Sequence, residues 1–216
     1  MWIAVISDVH GNVRALQRAL EDLRAQGATA IINLGDLGEA AAHQVLAPTG
    51  ARSIIGNWEV SFWPQLPPRW QQEVRQWAFT LQEGPAIFCH ASPVWPETVR
   101  TLEDAARYVQ EHGSWFALFP DLNKDEEARW EAFALLAQRR CRIAFHGHTH
   151  VQKAWVLTPD NRMRPVRDNA FTLEDEPALY LVGVGSVGRP LDGPGICYAL
   201  WNPQTREVRL RRLEEA

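Results

Sequence analysis

The 216-residue sequence predicts an α/β fold: a first half of alternating strands and helices, followed by a tail of antiparallel strands. Three observations predict it. Apolar runs of strand length recur up to residue 145, separated by segments of helical periodicity, which is the pattern of βα units with parallel strands. After His150 four more strand-like runs follow, and Asn202-Pro203-Gln204-Thr205 makes a turn-forming link between the last two. No apolar run reaches the roughly 18 residues of a membrane span, so no membrane partner is expected.

The elements follow in order. Residues 2–7 are an apolar run of strand length. Val13, Leu16, Leu20 and Leu23 then recur at helical spacing, with Gly27 as a C-cap. Residues 30–34 read as a second buried strand and 39–46 as a short helix stopped by Pro48. A third strand is expected at 52–55, followed by a proline-rich loop at 64–68. A helix from about residue 69 puts Trp70, Val74, Trp77 and Leu81 on one face, an aromatic stripe read as core. Residues 86–89 and 142–145 are the fourth and fifth strands. Between them, amphipathic helices at about 102–112 and 125–139 form a helical insertion at about 100–140, near the mouth of any site. Strands are then expected at 153–157, 179–184, 196–201 and 207–213. With no repeat or linker, residues 1–216 read as one domain.

Composition narrows the class. Hydrophobic residues make up 46% and charged residues 22%, enough apolar material for a core and too much for a disordered chain. The formal net charge of -4 lacks the basic surface that a long nucleic acid demands. The most basic stretch, residues 206–212, reads as a solvated strand face. Cys89, Cys141 and Cys197 lie far apart beside apolar runs, which suits small buried hydrophobes rather than disulfides or thiolate metal sites. Nothing resembling a secretory leader precedes the first strand, so a cytoplasmic location is expected.

Five motifs carry the chemistry, four of them at the ends of apolar strands: Asp8-Val9-His10, Gly35-Asp36, Gly56-Asn57, His90, and Gly147-His148-Thr149-His150. Open α/β sheets bind ligands beyond the carboxyl ends of their strands, so these residues converge on one rim. Two carboxylates, four imidazoles and a carboxamide suit borderline divalent metals: manganese, iron, zinc, cobalt or nickel. Seven donors are too many for one tetrahedral site and enough for two ions if a carboxylate bridges them. Glycine at Gly35, Gly56 and Gly147 suits sharp turns and close backbone approach.

In this order the motifs resemble the calcineurin-like metallophosphoesterases, whose pattern is D-x-H, G-D, G-N-H-[D/E], a lone H, and G-H-x-H. Ser7-Asp8-Val9-His10-Gly11-Asn12, His90-Ala91-Ser92-Pro93 and Gly185-Ser186-Val187-Gly188-Arg189-Pro190 look like the small bacterial phosphodiesterase-like members. The resemblance runs from about residue 3 to 201, and is looser at 60–85 and 95–140. It implies a four-layer α/β/β/α sandwich. It also implies one metal held by Asp8, His10, Asp36 and His150, and a second held by Asp36, Asn57, His90 and His148, with Asp36 as the bridge. The function it implies is hydrolysis of a small phosphate ester, a nucleotide among the candidates. The rivals are a protein-binding scaffold on the same fold, known among relatives that lack metal ligands, and a nuclease, which the acidic balance opposes.

One position departs from the pattern. Where the family commonly has histidine after the asparagine, this chain has Trp58, in Gly56-Asn57-Trp58-Glu59. Indole cannot donate a proton at neutral pH; its N–H only hydrogen-bonds. Trp58 is therefore a candidate substrate contact, and efficient cleavage of esters with poor leaving groups is in doubt. His146 lies two residues before His148 and is read as a substitute acid, a supporting group or a structural histidine. Asn12 is placed to cap the following helix or contact phosphate. Asn57 and His146 are the candidate catalytic residues. His43 and His112 are read as surface residues. Trp58, Trp63, Trp95 and Trp115 are read as packing or as a rim that stacks a nucleobase.

Overall fold

Burial on both faces of a strand forces layers on either side of it. In β1 (Trp2–Ile6), Ile3 and Val5 point into one apolar cluster, while Ala4 and Ile6 point into another. β11 (Ile196–Asn202) divides the same way: Ala199 and Trp201 join the first cluster, Tyr198 and Leu200 the second. β5 (Ala86–Cys89), β6 (Ile143–His146) and β10 (Leu179–Val184) send Phe88, Phe145 and Val182 into the first cluster from the opposite side. The shared cluster is thus the layer between two facing sheets.

The computed structural model of the chain describes residues 1–174 and 177–214. Its first sheet also contains β2 (Ala28–Asn33), β3 (Arg52–Ser53), β9 (Ala170–Thr172) and β12 (Glu207–Leu213), in the order β3-β2-β1-β11-β12-β9. The second sheet adds β4 (Thr80–Glu83), β7 (Gln152–Leu157) and β8 (Met163–Val166), in the order β4-β5-β6-β10-β7-β8. Helices α1 (Val13–Ala25) and α2 (Ala40–Leu46) cover the outer face of the first sheet through Leu16, Leu20, Leu23 and Leu46. Across the second sheet, Ala132, Phe133 and Leu136 of α6 (Glu126–Gln138) pack on Ile87, Ala144 and Leu181. The result is the expected α/β/β/α sandwich. Between β5 and β6 the chain forms α5 (Leu102–His112) and α6, and the three cysteines are buried and free, as expected.

Several expectations need correction. The helix expected from residue 69 begins at Pro68 and ends at Val74, as α4 (Pro68–Val74). Leu81 instead lies in β4, opposite Phe88. A spacing of three or four residues matches a helix, but pairing with the edge of β5 satisfies the backbone there instead. The third strand is only two residues long; Ile54 bridges to Ala78 rather than continuing it. β8 and β9 lie at sheet edges, and the short sequences Met163-Arg164-Pro165-Val166 and Ala170-Phe171-Thr172 carry no alternation strong enough to announce them. His43 is not a surface residue. It is 1% exposed, because α4 and the chain after it bring Trp70 and Trp77 over it at ring-centroid distances of 5.2 and 5.5 Å. Burial pushes its pKa down to about 4.

Candidate metal centre

The motif residues sit where strands of both sheets end, and their backbone is unusual. Among the described residues eight non-glycine residues have positive φ, and five of these are Asp8 (55°), His10 (48°), Asp36 (54°), His148 (61°) and His150 (57°). Left-handed backbone in residues with a Cβ is uncommon and persists only where its surroundings impose it. Here the loops impose it on one another. The Asp8 amide donates to the Gly35 carbonyl at 3.1 Å, and the His10 amide to the Asp36 carbonyl at 2.9 Å. The Gly147 amide donates to the His90 carbonyl at 2.8 Å, and the His148 amide to Asp8 Oδ2 at 2.9 Å. Two glycines are required by contact: a Cβ on Gly56 would strike Asp36 Oδ1, and one on Gly147 would overlap Ser7 Oγ.

These loops bring all seven expected donors together. At one end His10 Nε2 and His150 Nε2 face each other at 3.1 Å. Asp8 Oδ1 lies 3.3 Å from the His150 nitrogen and 3.8 Å from that of His10, and Asp36 Oδ2 lies 3.6 Å from His10. At the other end Asn57 Oδ1 lies 3.0 Å from His90 Nε2 and 2.8 Å from His148 Nδ1. Asp36 Oδ1 lies 3.5 Å from His90 Nε2. Asp36 therefore turns one oxygen toward each end.

The electrostatics ask for positive charge. Burial would raise both carboxyls. The surrounding histidines nevertheless hold Asp8 below the ordinary carboxylate range, while burial and the Asp8 charge raise Asp36 well above it. Burial also opposes charge on His150, but Asp8, the Arg189 carbonyl and Asp36 together lift it to about 9. Burial pushes His10 down to about 4 and His148 to about 3, and it lowers His90, so these rings are neutral at neutral pH. His90 Nδ1 lies 2.9 Å from the Leu34 carbonyl and donates its proton there. A bare Nε2 is left facing Asn57 Oδ1, another acceptor, and the buried Asp8 Oδ1 has the His150 ring 3.3 Å away as its neighbour. Acceptors that meet in the interior with nothing to accept fit a cation between them. Among the described residues, two groups of carboxylates and imidazoles are compact enough to hold an ion: Asp8, His10 and His150, and Asp8, Asp36 and His90.

Glu59 was not singled out from the sequence. It is wholly buried, and its carboxylate accepts from the amides of Asp36 (2.8 Å), Leu37 (2.9 Å) and Gly56 (2.8 Å), tying two donor loops together. Burial and the Asp36 charge raise its pKa to about 7 against those three hydrogen bonds. Its position three residues after Gly56, the spacing of a capping box, was the available signal. Ser186 is a second such residue: its hydroxyl donates to the Asp8 carbonyl at 2.7 Å and accepts from the Arg189 amide at 2.7 Å. The Arg189 carbonyl lies 2.6 Å from His150 Nδ1, fixing that ring. Phe119, in the insertion, sets its ring 5.8 Å from His90 and 6.1 Å from His148, centroid to centroid.

The remaining candidates divide. Asn12 caps α1, its Oδ1 accepting from the Ala15 amide at 3.1 Å. The Trp58 amide donates to Asp36 Oδ1 at 2.7 Å, and its indole packs on Phe62. His146 is buried outside both ion-holding groups, its Nδ1 3.1 Å from the Gly147 carbonyl and its Nε2 unpartnered. Burial pushes its pKa down to about 4. His112 is exposed against Tyr108. Trp63 is buried, and Trp95 packs between Phe79 and Phe119, while Trp115 is 40% exposed.

Residues 1–206 match the calcineurin-like phosphoesterase superfamily domain. An uncharacterised protein of Methanocaldococcus jannaschii is 23% identical over 242 residues, covering 98% of this chain and 87% of that protein. Among solved structures, a metallophosphoesterase from Sphaerobacter thermophilus superposes with a TM-score of 0.66 at 22% identity, over 100% of this chain and 90% of that one. An archaeal phosphodiesterase superposes with a TM-score of 0.51 at 14% identity, over 99% of this chain and 100% of the other. Both share the fold.

Proposed function

The chain belongs to the calcineurin-like phosphoesterase superfamily, and from that premise we propose that it hydrolyses a small phosphate ester, a diester in preference to a monoester, at a centre of two divalent cations. Asp8, His10, Asp36 and His150 hold one ion, and Asp36, Asn57, His90 and His148 the other. The observation that carries this reading is Asp36, with Oδ2 3.6 Å from His10 and Oδ1 3.5 Å from His90. Manganese, iron, zinc, cobalt and nickel all suit these donors. Such ions supply polarisation of the phosphoryl oxygen and a lowered pKa for water. The protein's own residues fix the donors, keep three rings neutral and close the second end under Phe119. The whole chain serves as one catalytic domain, in the cytoplasm.

The preference for activated esters rests on leaving-group chemistry. Trp58 cannot protonate an alkoxide. His146, buried and neutral with a pKa near 4, is a poor acid at neutral pH and a positioning residue at most. Asn12 caps its helix rather than meeting the phosphate. Esters whose leaving groups depart unprotonated are therefore favoured. The scaffold alternative is opposed by the complete set of seven donors, and a nuclease by the net charge of -4.

The test is hydrolysis of bis(4-nitrophenyl) phosphate, 4-nitrophenyl phosphate and alkyl esters by chelated protein reloaded with each metal. Manganese or a similar ion should restore activity, greatest on the activated diester. Full activity after exhaustive chelation, with no metal detected, would overturn the reading. Trp58→His should help alkyl esters more than nitrophenyl esters, by up to the roughly 10²–10⁴-fold of general acid catalysis. The slope of kcat/KM against leaving-group pKa measures this, and identical slopes would contradict it.

A further inference from the structure

A groove of about 540 Å³ lies beside the metal centre, walled by Glu39 and Ala40 on one side and by Trp58, Phe62, Gln65 and Leu66 on the other. Both walls start at the expected metal ligands. Trp58 follows Asn57, and its amide is bonded to Asp36 Oδ1 at 2.7 Å. Glu39 comes three residues after Asp36, with its backbone nitrogen 3.7 Å from where a Cβ on Gly11, next to His10, would stand. The groove therefore opens on segments that continue directly from donor residues.

The lining selects the occupant. Trp58 and Phe62 stand one turn apart on α3 (Asn57–Phe62) with ring centroids 5.2 Å apart, and Phe62 is 41% exposed. The exposed Phe62 ring, backed by the half-buried Trp58, offers stacking to a flat ring. No cation lines the groove, and the Glu39 carboxylate is exposed, so a second phosphate is repelled. A carboxylate only accepts hydrogen bonds, and the Gln65 carboxamide both donates and accepts. The complementary partner is neutral, planar and edged with N–H or O–H donors.

We propose that this groove is the leaving-group subsite and takes a nucleoside, its base stacked on Trp58 and Phe62 and its donor edge on Glu39. The position beside the phosphate rests on the phosphoesterase reading; the affinity for nucleosides does not. Guanine fits best, because it alone among the common bases carries two adjacent donors, N1–H and the N2 amino group, to meet a carboxylate. Adenine offers one amino group. Uracil sets its single N–H between two carbonyls that the carboxylate repels.

Calorimetric titration of the manganese-loaded chain with guanosine, adenosine and uridine tests this, because these probes lack phosphate and need no turnover. Guanosine should bind tightest and uridine weakest. Phe62→Ala should weaken all three about tenfold, the scale of one lost base stack. Glu39→Gln should remove the preference for guanosine over adenosine, with the circular dichroism spectrum retained. No binding of any nucleoside at millimolar concentration, or binding that both substitutions leave unchanged, would overturn the proposal. If bis(4-nitrophenyl) phosphate is cleaved while no nucleoside binds, the groove assignment falls and the phosphoesterase reading stands. Nucleoside binding that responds to both substitutions, without hydrolysis of any ester, would support the groove as a nucleoside site and overturn the phosphoesterase reading.

Discussion

His43 and the four motif imidazoles are both taken out of bulk water, and only the second group reads as a site. His43 lies between Trp70 and Trp77 on a regular helix, its neighbours aromatic rings rather than carboxylates. His10, His90, His148 and His150 lie against two buried carboxylates, and three of the four stand on left-handed backbone. Burial lowers the pKa in both places, so a depressed histidine alone says nothing about function. What separates them is the company: carboxylates that cannot both be charged unaided, acceptors facing acceptors, and strain held by neighbouring loops.

Substitutions on the two sides should break differently. Asp36→Asn removes the carboxylate that turns one oxygen toward His10 and the other toward His90. It should cost about 10²–10³-fold or more in kcat/KM, the scale of losing one electrostatic contact in an active site, while the circular dichroism spectrum is retained. Near wild-type turnover would contradict this. Glu59→Gln leaves one acceptor oxygen for three amides. It should weaken metal affinity about 10–100-fold, as loss of outer support does, and lower stability by about 1–3 kcal/mol. Metal titration and denaturant melts measure the two effects.

His43→Phe should leave metal content unchanged and alter only how stability varies with pH. The folded pKa near 4 lies below the unfolded value near 6.5, so the unfolded chain takes up the proton first as pH falls. The neutral ring therefore costs nothing above pH 6.5, and stability is lost progressively between 6.5 and 4, by about 3 kcal/mol at most. The unfolding free energy of the variant should fall less steeply than that of the wild type as pH drops across that window. Equal slopes would show that His43 is not the buried neutral group described.

The same contrast explains what the sequence disclosed. The seven donors were legible because each follows an apolar run or a strand-ending glycine, so topology alone gathers them; Asp8 after β1 and His90 after β5 are clear cases. The C-terminal strands were equally plain, β10 and β12 to the residue. The burial of His43 was not legible, because α2 alone does not show that Trp70 and Trp77 will cover it. Leu81 was misplaced because the spacing from Val74 through Trp77 fits a helix as well as it fits an edge strand. Glu59 was visible as a letter in a motif, but its role depends on three amides from two separate loops, which no local pattern reveals.

The central claim is that Asp36 bridges two cations, and counting and coupling those ions tests it most directly. Metal-free protein reloaded with manganese should bind two ions per chain and give the electron paramagnetic resonance spectrum of an exchange-coupled pair, as expected for ions about 3.5–4 Å apart. Asp36→Asn should lose that coupled signal. A single uncoupled manganese in the wild-type protein, or a coupled pair that persists in Asp36→Asn, would contradict the account.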